Sequence, residues 1–258
     1  MNTRQEEILQ IAQQQGFVTI DALAQVFEVT TQTIRRDINR LCERKLLTRY
    51  HGGASPVSSV ENVEYSARKA LCLEEKVRIA RLLASHIPDR ASLFINIGTT
   101  TEAVARALLD HSGLRIITNN LNVAGIMSNN PGFEVIIAGG VVRQRDRGIT
   151  GEATIDFIRQ FKVDFGVIGI SSIDDDGSLL DFDYHEVRVA QAIIENSRQV
   201  LLAADHTKFG RSALIRLGHL SQVDALYTDQ APPRPIAAIL AENHVTLNFA
   251  GTEARKRN

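Results

Sequence analysis

The sequence predicts an α/β chain in two parts: a small N-terminal module of three helices and a wing-like strand, then a larger domain built on a mostly parallel sheet. Three observations lead there. Residues 4 to 41 carry three short amphipathic helix patterns in succession. From about residue 74 onward, apolar strand-like runs alternate with amphipathic helices. The 258 residues, 44% of them hydrophobic, are too many for the small module alone and suit two domains with real cores.

The first helix, Arg4 to Gln15, places Ile8, Leu9, Ile11 and Ala12 on one stripe and stops at Gly16. A second starts after Thr19, an N-cap type, and carries Ala22, Leu23, Val26 and Phe27. Glu28-Val29-Thr30 is a tight connection, and the hydroxyl of Thr30 or Thr31 can cap a third helix. There Ile34, Ile38 and Leu41 form the core face, which leaves Thr31, Gln32, Arg35, Arg36 and Arg40 on outward faces. Leu47 to Gly53 then reads as a short strand and glycine turn. Two short helices followed by a basic third and a strand make a winged helix-turn-helix, whose third helix presents its N-terminal residues to base edges in the major groove.

The candidate DNA contacts are therefore Thr31, Gln32, Thr33, Arg35, Arg36 and Arg40 on that helix, with Arg49 and His51 on the wing beside backbone or minor groove. Residues 31 to 53 hold six Lys or Arg against two acids, while the whole chain has a formal charge of -1. Attraction to phosphate is thus concentrated in this patch instead of spread over the protein. The partner it implies is double-stranded operator DNA.

Ala54 to Val60 is small and polar, a linker composition, and places the domain boundary within 55–73. The expected organisation is 1–54 winged helix, 55–73 linker, 74–250 α/β domain and 251–258 basic tail. Strands are expected at Leu93 to Ile97, Arg115 to Thr118, Glu134 to Ala138, Phe165 to Ile170, Val200 to Ala204, Ala225 to Thr228 and Val245 to Phe249. Helices include Glu74 to His86, Thr101 to Leu109, Ile155 to Phe161 and Tyr184 to Ser197. The larger domain is accordingly Rossmann-like, without internal repeats. No apolar stretch reaches 18 residues, and the N-terminus lacks the charged-apolar-small pattern of a secretory leader, so no membrane association and a cytoplasmic location are expected. Cys42 and Cys72 have neither CxxC spacing nor histidine neighbours and are read as reduced structural thiols; no metal site or cofactor is expected.

Ligands of open parallel sheets bind beyond the carboxyl ends of the strands. One such turn, Asn96-Ile97-Gly98-Thr99-Thr100-Thr101, offers a glycine, three hydroxyls and free N–H groups at a positive helix terminus, which suits a phosphate. Asn119 and Asn120 end the next strand with amide groups, Gly139 and Gly140 end a third with room for close approach, and Arg143 follows them. Lys208 can bring a cation from a fourth. Together these outline a pocket for a small phosphorylated polyol or sugar. Asp174-Asp175-Asp176-Gly177 is contiguous instead of alternating as a calcium loop requires, and reads as an acidic turn. Nothing places a nucleophile or metal beside His185 and Glu186, which cap a helix or line the pocket, and no catalytic residue is assigned.

With both halves in view the chain resembles the DeoR family of bacterial repressors over essentially its whole length. The resemblance rests on Thr30 through Ile38, on the wing Arg49-Tyr50-His51-Gly52-Gly53-Ala54, on Ile97-Gly98-Thr99-Thr100, and on Asp205-His206-Thr207-Lys208-Phe209-Gly210. Thr118 to Ala124, Gly151 to Thr154 and Phe182 to Arg188 are most similar to family members that govern glycerol metabolism, which implies sn-glycerol 3-phosphate as the effector. The resemblance also implies an effector domain similar to the ribose-5-phosphate isomerase and CoA-transferase group, and a homo-oligomer: a dimer at least, a tetramer by the resemblance alone. Family members commonly carry an aspartate where Asn96 stands, and an amide cannot serve as a general base. A repressor released by its effector is thus the favoured reading. A repressor of another sugar-phosphate operon, or a sugar-phosphate isomerase with a fused winged helix, are the alternatives. The places of Arg143, Glu152 and Asp183 around the pocket follow only from turn position.

Overall fold

The computed structural model describes residues 1–15, 17–44, 46–50, 52–57 and 65–251, and these divide into two units, one ending at Cys72 and one beginning at Leu73. His51, residues 58–64 of the expected linker and the basic tail 252–258 lie outside the described residues.

In the first unit, α1 (Thr3–Gln15), β1 (Val18–Thr19), α2 (Ile20–Val26), α3 (Thr31–Glu43), β2 (Leu47–Tyr50), β3 (Gly53–Pro56) and α4 (Tyr65–Ala70) follow in order. Ile8, Ala12, Leu23, Ile34, Ile38 and Leu41 pack into one core, as residues three and four apart on facing helices must. Thr19 Oγ1 accepts the Ala22 N–H and Thr30 Oγ1 the Thr33 N–H, so threonine caps open both α2 and α3. Between them Glu28 takes a φ of 51°, the left-handed position that turns the chain in the four residues separating the helices.

Two expectations need correction here. Ala22 and Val26 face solvent, Val26 being 66% exposed, because the seven-residue α2 buries only its Ile20 and Leu23 edge. The expected linker is also partly structured, since β3 reaches Pro56 and α4 lies within it, with Ala67 and Leu71 packed on Phe17 and Tyr50. The wing has three strands, in the order β1-β3-β2, all pairings antiparallel. Two residues of β1 are too few to show an alternation in sequence.

The second unit runs α5 (Leu73–Ala84), β4 (Ser92–Ile95), α6 (Thr99–Ala107), β5 (Arg115–Thr118), α7 (Leu121–Met127), β6 (Glu134–Ile137), β7 (Val141–Val142), β8 (Ile149–Thr150), α8 (Glu152–Ile158), β9 (Val163–Gly169), β10 (Ser172–Ile173), β11 (Ser178–Asp181), α9 (Tyr184–Glu195), β12 (Ser197–Ala203), β13 (Ile215–His219), β14 (Ala225–Thr228), α10 (Arg234–Glu242) and β15 (Thr246–Phe249). The seven expected strands form one sheet in the order β15-β14-β12-β9-β4-β5-β6, every pairing parallel. Successive strand residues bury against opposite layers. Leu93, Ile95, Ile116 and Leu201 pack with α5, α6 and α7, whereas Phe94, Ile117, Ile168 and Leu202 pack with α8, α9 and α10. A sheet covered on both faces needs near-continuous apolar strands, which is what the sequence displays.

From β4 the sheet grows through β5 to β6 on one side, then β9 returns to the other side of β4 and β12, β14 and β15 follow outward. The order therefore reverses between β4 and β9, and the crevice beyond their carboxyl ends is where such a sheet holds a ligand. Unforeseen are α7 and α10, the β7–β8 hairpin, and the antiparallel sheet β10-β11-β13. The acidic Asp174–Gly177 stretch is the turn between β10 and β11, its three aspartates exposed and its end closed by Gly177 N–H to Asp174 O.

Candidate functional site

On α3, Gln32, Arg35, Arg36 and Arg40 are exposed, and Thr31 and Thr33 are half-buried, with the Thr33 hydroxyl 3.0 Å from that of Thr30. The same helix turns Asp37 inward. Its carboxylate accepts Arg4 Nε at 2.7 Å and Gln5 Nε2 at 2.8 Å, and Asp37 is 2% exposed. One of the two acids in the basic stretch is therefore neutralised from α1, and the outward face of α3 is more cationic than its composition. Asp37 occupies the core stripe with Ile34, Ile38 and Leu41, a placement that the helical period alone displays. Arg49 on β2 donates to Asn39 Oδ1 at 2.6 Å and ties the wing to the recognition helix. Cys42 is half-buried and unpaired, and burial pushes its thiol up, against the pull of Arg49, so it stays protonated.

In the second unit the anticipated turns line the carboxyl edge. Asn96, just past β4, is 2% exposed; Gly98, with φ 150° and ψ 151°, makes the bend that opens α6. That helix starts two residues earlier than expected, so Thr99 and Thr100 belong to its first turn, where N–H groups have no carbonyl within the helix. Thr101 is fully buried and its hydroxyl donates to both Asn96 O and Gly98 O at 2.8 Å. It shapes the turn instead of facing a ligand. Past β5, Asn119 Nδ2 donates to Ile149 O at 3.0 Å, while Asn120 Oδ1 accepts the N–H groups of Asn122 and Val123 and caps α7. What remains of these amides, Asn119 Oδ1, Asn120 Nδ2 and likewise Asn96 Oδ1, is buried without a hydrogen-bond partner among the described residues. A buried polar atom left unsatisfied costs about 1–3 kcal/mol. All three lie just past the adjacent strands β4 and β5.

Lys208 stands in a short 3-10 turn, His206–Lys208, past β12. Beneath it Asp205 is buried: desolvation raises its carboxyl, but Lys208, Lys76 and the Thr207 hydroxyl and N–H hold it below the ordinary value. Lys76, on α5, is only 3% exposed and escaped the sequence reading. Its signal was there, because it shares the apolar stripe of Ile79, Ala80 and Leu83, where a lysine is out of place. Two ammonium groups thus flank one buried carboxylate on this edge. Glu102 and Asn122 were missed too: buried Glu102 accepts Asn122 Nδ2 at 3.1 Å and joins α6 to α7.

Arg143, expected to face the ligand, is instead surrounded by carboxylates. It reaches Asp146 and Glu186 at 2.7 Å and Asp183 at 2.8 Å, with Arg145 adding a further bond to Asp183. It thereby fastens the turn between β7 and β8 to the start of α9, which Asp183 caps. Of the pair His185 and Glu186, Glu186 serves this clamp and His185 is exposed. Glu152 lies exposed in the first turn of α8.

Gly139 is exposed and accepts the Thr154 hydroxyl at 2.8 Å. Gly140 has φ 152°, and a Cβ there would stand 2.1 Å from Thr154 Oγ1 and 2.8 Å from Thr150 O. Gly140→Ala is therefore expected to lower the urea midpoint of the effector domain, by about 1–3 kcal/mol of overpacking. An unchanged midpoint would show that this turn yields without cost.

A basic recognition helix on a winged helix-turn-helix, joined in one chain to an α/β domain with a topological switch point, defines a ligand-sensing transcription factor. Residues 4–60 match the DeoR-like helix-turn-helix domain and residues 72–230 the DeoR C terminal sensor domain; the chain belongs to the DeoR family and is a DNA-binding transcriptional repressor, not an enzyme. It is 55% identical to the glycerol-3-phosphate regulon repressor of Escherichia coli over 95% of this chain and 98% of that protein. Its identity to the Haemophilus influenzae repressor of the same name is 53%, over 89% of each, and to the Escherichia coli HTH-type transcriptional repressor CsqR 43%, over 95% and 94%. Among solved structures it aligns with ribose 5 phosphate isomerase A from Neisseria gonorrhoeae over 53% of each chain, with a TM-score of 0.39 and 11% identity, a likeness too slight to bear on function. Among the described residues no helix is long and apolar enough to cross a membrane.

Proposed function

We propose that this repressor controls genes of glycerol 3-phosphate metabolism in the cytoplasm and leaves its operator when sn-glycerol 3-phosphate enters the C-terminal domain. The observation that carries this reading is the set of buried, unpartnered amide atoms on Asn96, Asn119 and Asn120 beside the N-terminus of α6; the 55% identity to a glycerol-3-phosphate regulon repressor supports it. The phosphate sits on the N–H groups and hydroxyls of Thr99 and Thr100, with Gly98 allowing close approach and Thr101 holding the turn from behind. Lys208 and Lys76 draw the anion in. The glycerol hydroxyls meet Asn96 Oδ1, Asn119 Oδ1 and Asn120 Nδ2, and Gly139 and Gly140 border the crevice. Arg143 acts indirectly, by fixing the β7–β8 turn.

At the other end, Gln32, Arg35, Arg36 and Arg40, with Thr31, Thr33, Arg49 and His51 at the margins, contact the operator. Two copies are needed to read half-sites one helical turn apart, about 34–36 Å. A homo-oligomer with two subunit arrangements, only one of them matched to that spacing, couples the sites when the effector prefers the other arrangement. A coupling of about 1–3 kcal/mol weakens operator binding roughly 5- to 150-fold.

Replacing Thr99 and Thr100 with valine tests the cradle. The double variant is expected to hold DNA as the wild type does and to ignore sn-glycerol 3-phosphate in a release assay. Undiminished affinity in calorimetry would remove the cradle from the site. A thermal-shift screen of polyol and sugar phosphates, scoring a hit only where the compound also releases DNA, checks the ligand itself.

A further inference from the structure

We propose that His206 is a specificity contact of this sensor: its Nε2 accepts a hydrogen bond from a ligand hydroxyl and so separates a phosphorylated polyol from phosphate alone. The inference rests on the effector reading above and deepens it.

His206 follows β12 on the carboxyl edge that carries Asn96. β12 pairs with β9, with Ala203 opposite Gly169, and β9 pairs with β4, so His206 and Asn96 are two strand spacings apart, about 10 Å. Its ring is unusually well held. Asp229, just past β14, has a side chain with no exposure at all, and it accepts the His206 backbone N–H through Oδ1 at 2.7 Å while Oδ2 lies 2.7 Å from Nδ1. Burying a carboxylate is costly unless it is bonded, and here one oxygen holds the imidazole and the other the backbone N–H of the same residue. The ring remains 30% exposed, and among the described residues its Nε2 has no hydrogen-bond partner.

The chemistry of the grip decides what Nε2 can take. A carboxylate only accepts, so the proton of the neutral ring stays on Nδ1 and Nε2 is left as an acceptor. A hydroxyl can donate to that nitrogen; a phosphate dianion cannot. The flanking Lys208, with Lys76 and Asp205 behind it, supplies the attraction for the anion that His206 does not. Charge and hydrogen-bond selectivity are thus split between neighbouring positions of one turn, and Asp229 is the positioning residue for the second.

Calorimetry on the full chain with sn-glycerol 3-phosphate, n-propyl phosphate and inorganic phosphate tests the contact. In His206→Asn the amide nitrogen takes the place of Nδ1 and keeps the bond to Asp229, but nothing reaches the position of Nε2. Its affinity for sn-glycerol 3-phosphate is expected to fall roughly tenfold, the value of one hydrogen bond, while the other two ligands change less than about twofold. His206→Gln, whose amide reaches the Nε2 position, recovers part of the loss. On the wild type, the 15N resonance of Nε2 is expected to move with sn-glycerol 3-phosphate and to stay in place with n-propyl phosphate. An unmoved resonance, or a His206→Asn variant that keeps the wild-type preference, overturns the contact alone. A wild type that does not bind sn-glycerol 3-phosphate overturns the proposed effector, and this contact with it.

Discussion

Replacing Arg35 or Arg36 with alanine is expected to abolish operator retention in a gel-shift assay, while calorimetric binding of the effector stays at the wild-type value. Both side chains are exposed on α3, on the side opposite Ile34, Ile38 and Leu41, so the fold loses nothing and the helix exchanges one strong former for a better one. Each arginine that reaches a guanine edge is worth about 1–3 kcal/mol of discrimination, and an oligomer presents it once per half-site, so the loss doubles in the operator complex. If one of the pair meets phosphate instead, binding weakens evenly across sequences and the salt dependence drops by about one counterion. Measuring retention at two salt concentrations therefore tells which arginine reads and which anchors. Retention equal to wild type in both variants would take the reading role away from α3.

Arg143→Ala is expected to destabilise the effector domain by about 3 kcal/mol or more at neutral pH, seen as a lower urea midpoint. Its guanidinium is 15% exposed among carboxylates of Asp146, Asp183 and Glu186 that are 2%, 21% and 15% exposed. Removing the cation leaves like charges confined together with little water, the situation in which breaking a buried pair costs about 3–5 kcal/mol. The pH dependence follows from Asp183. Burial alone would raise its carboxyl, but the Glu186 N–H together with Arg143 and Arg145 holds it below the ordinary value. A carboxyl depressed in the folded state contributes stability above its unfolded pKa, about 3.9, and loses it as pH falls through the depressed value. The gap between wild type and variant should therefore narrow toward acid pH as the carboxylates take up protons. Equal midpoints at neutral pH would mean that the clamp has no part in holding the β7–β8 turn.

The two halves were legible in the sequence to different depths. The recognition helix was almost fully readable, because capping threonines, a core stripe and outward arginines are all set within thirteen consecutive residues. The strands of the main sheet were readable for the same reason, as apolar runs between polar turns. Short elements were not: β7, β8 and β10 have two residues each, below the length at which alternation can be told from chance, and α7 is one seven-residue helix containing Gly125. At the carboxyl edge of the sheet the turns were legible, but not the internal bonds that each residue makes. Thr101 and Arg143 carry the groups expected to meet a ligand, yet the first is spent on its own turn and the second on carboxylates up to 43 residues away.

By itself the sequence determined the longer helices of the first unit, the seven strands of the main sheet and the outward arginines of α3, since periodicity and capping act over a few neighbouring residues. Only the tertiary structure decided that β9 returns beside β4 and reverses the strand order there, that Lys76 comes to Asp205, and that Asp229 grips His206. Those pairings join residues 23 to 129 positions apart, and sheet order and burial, which set them, are properties of the packed chain that no local pattern encodes.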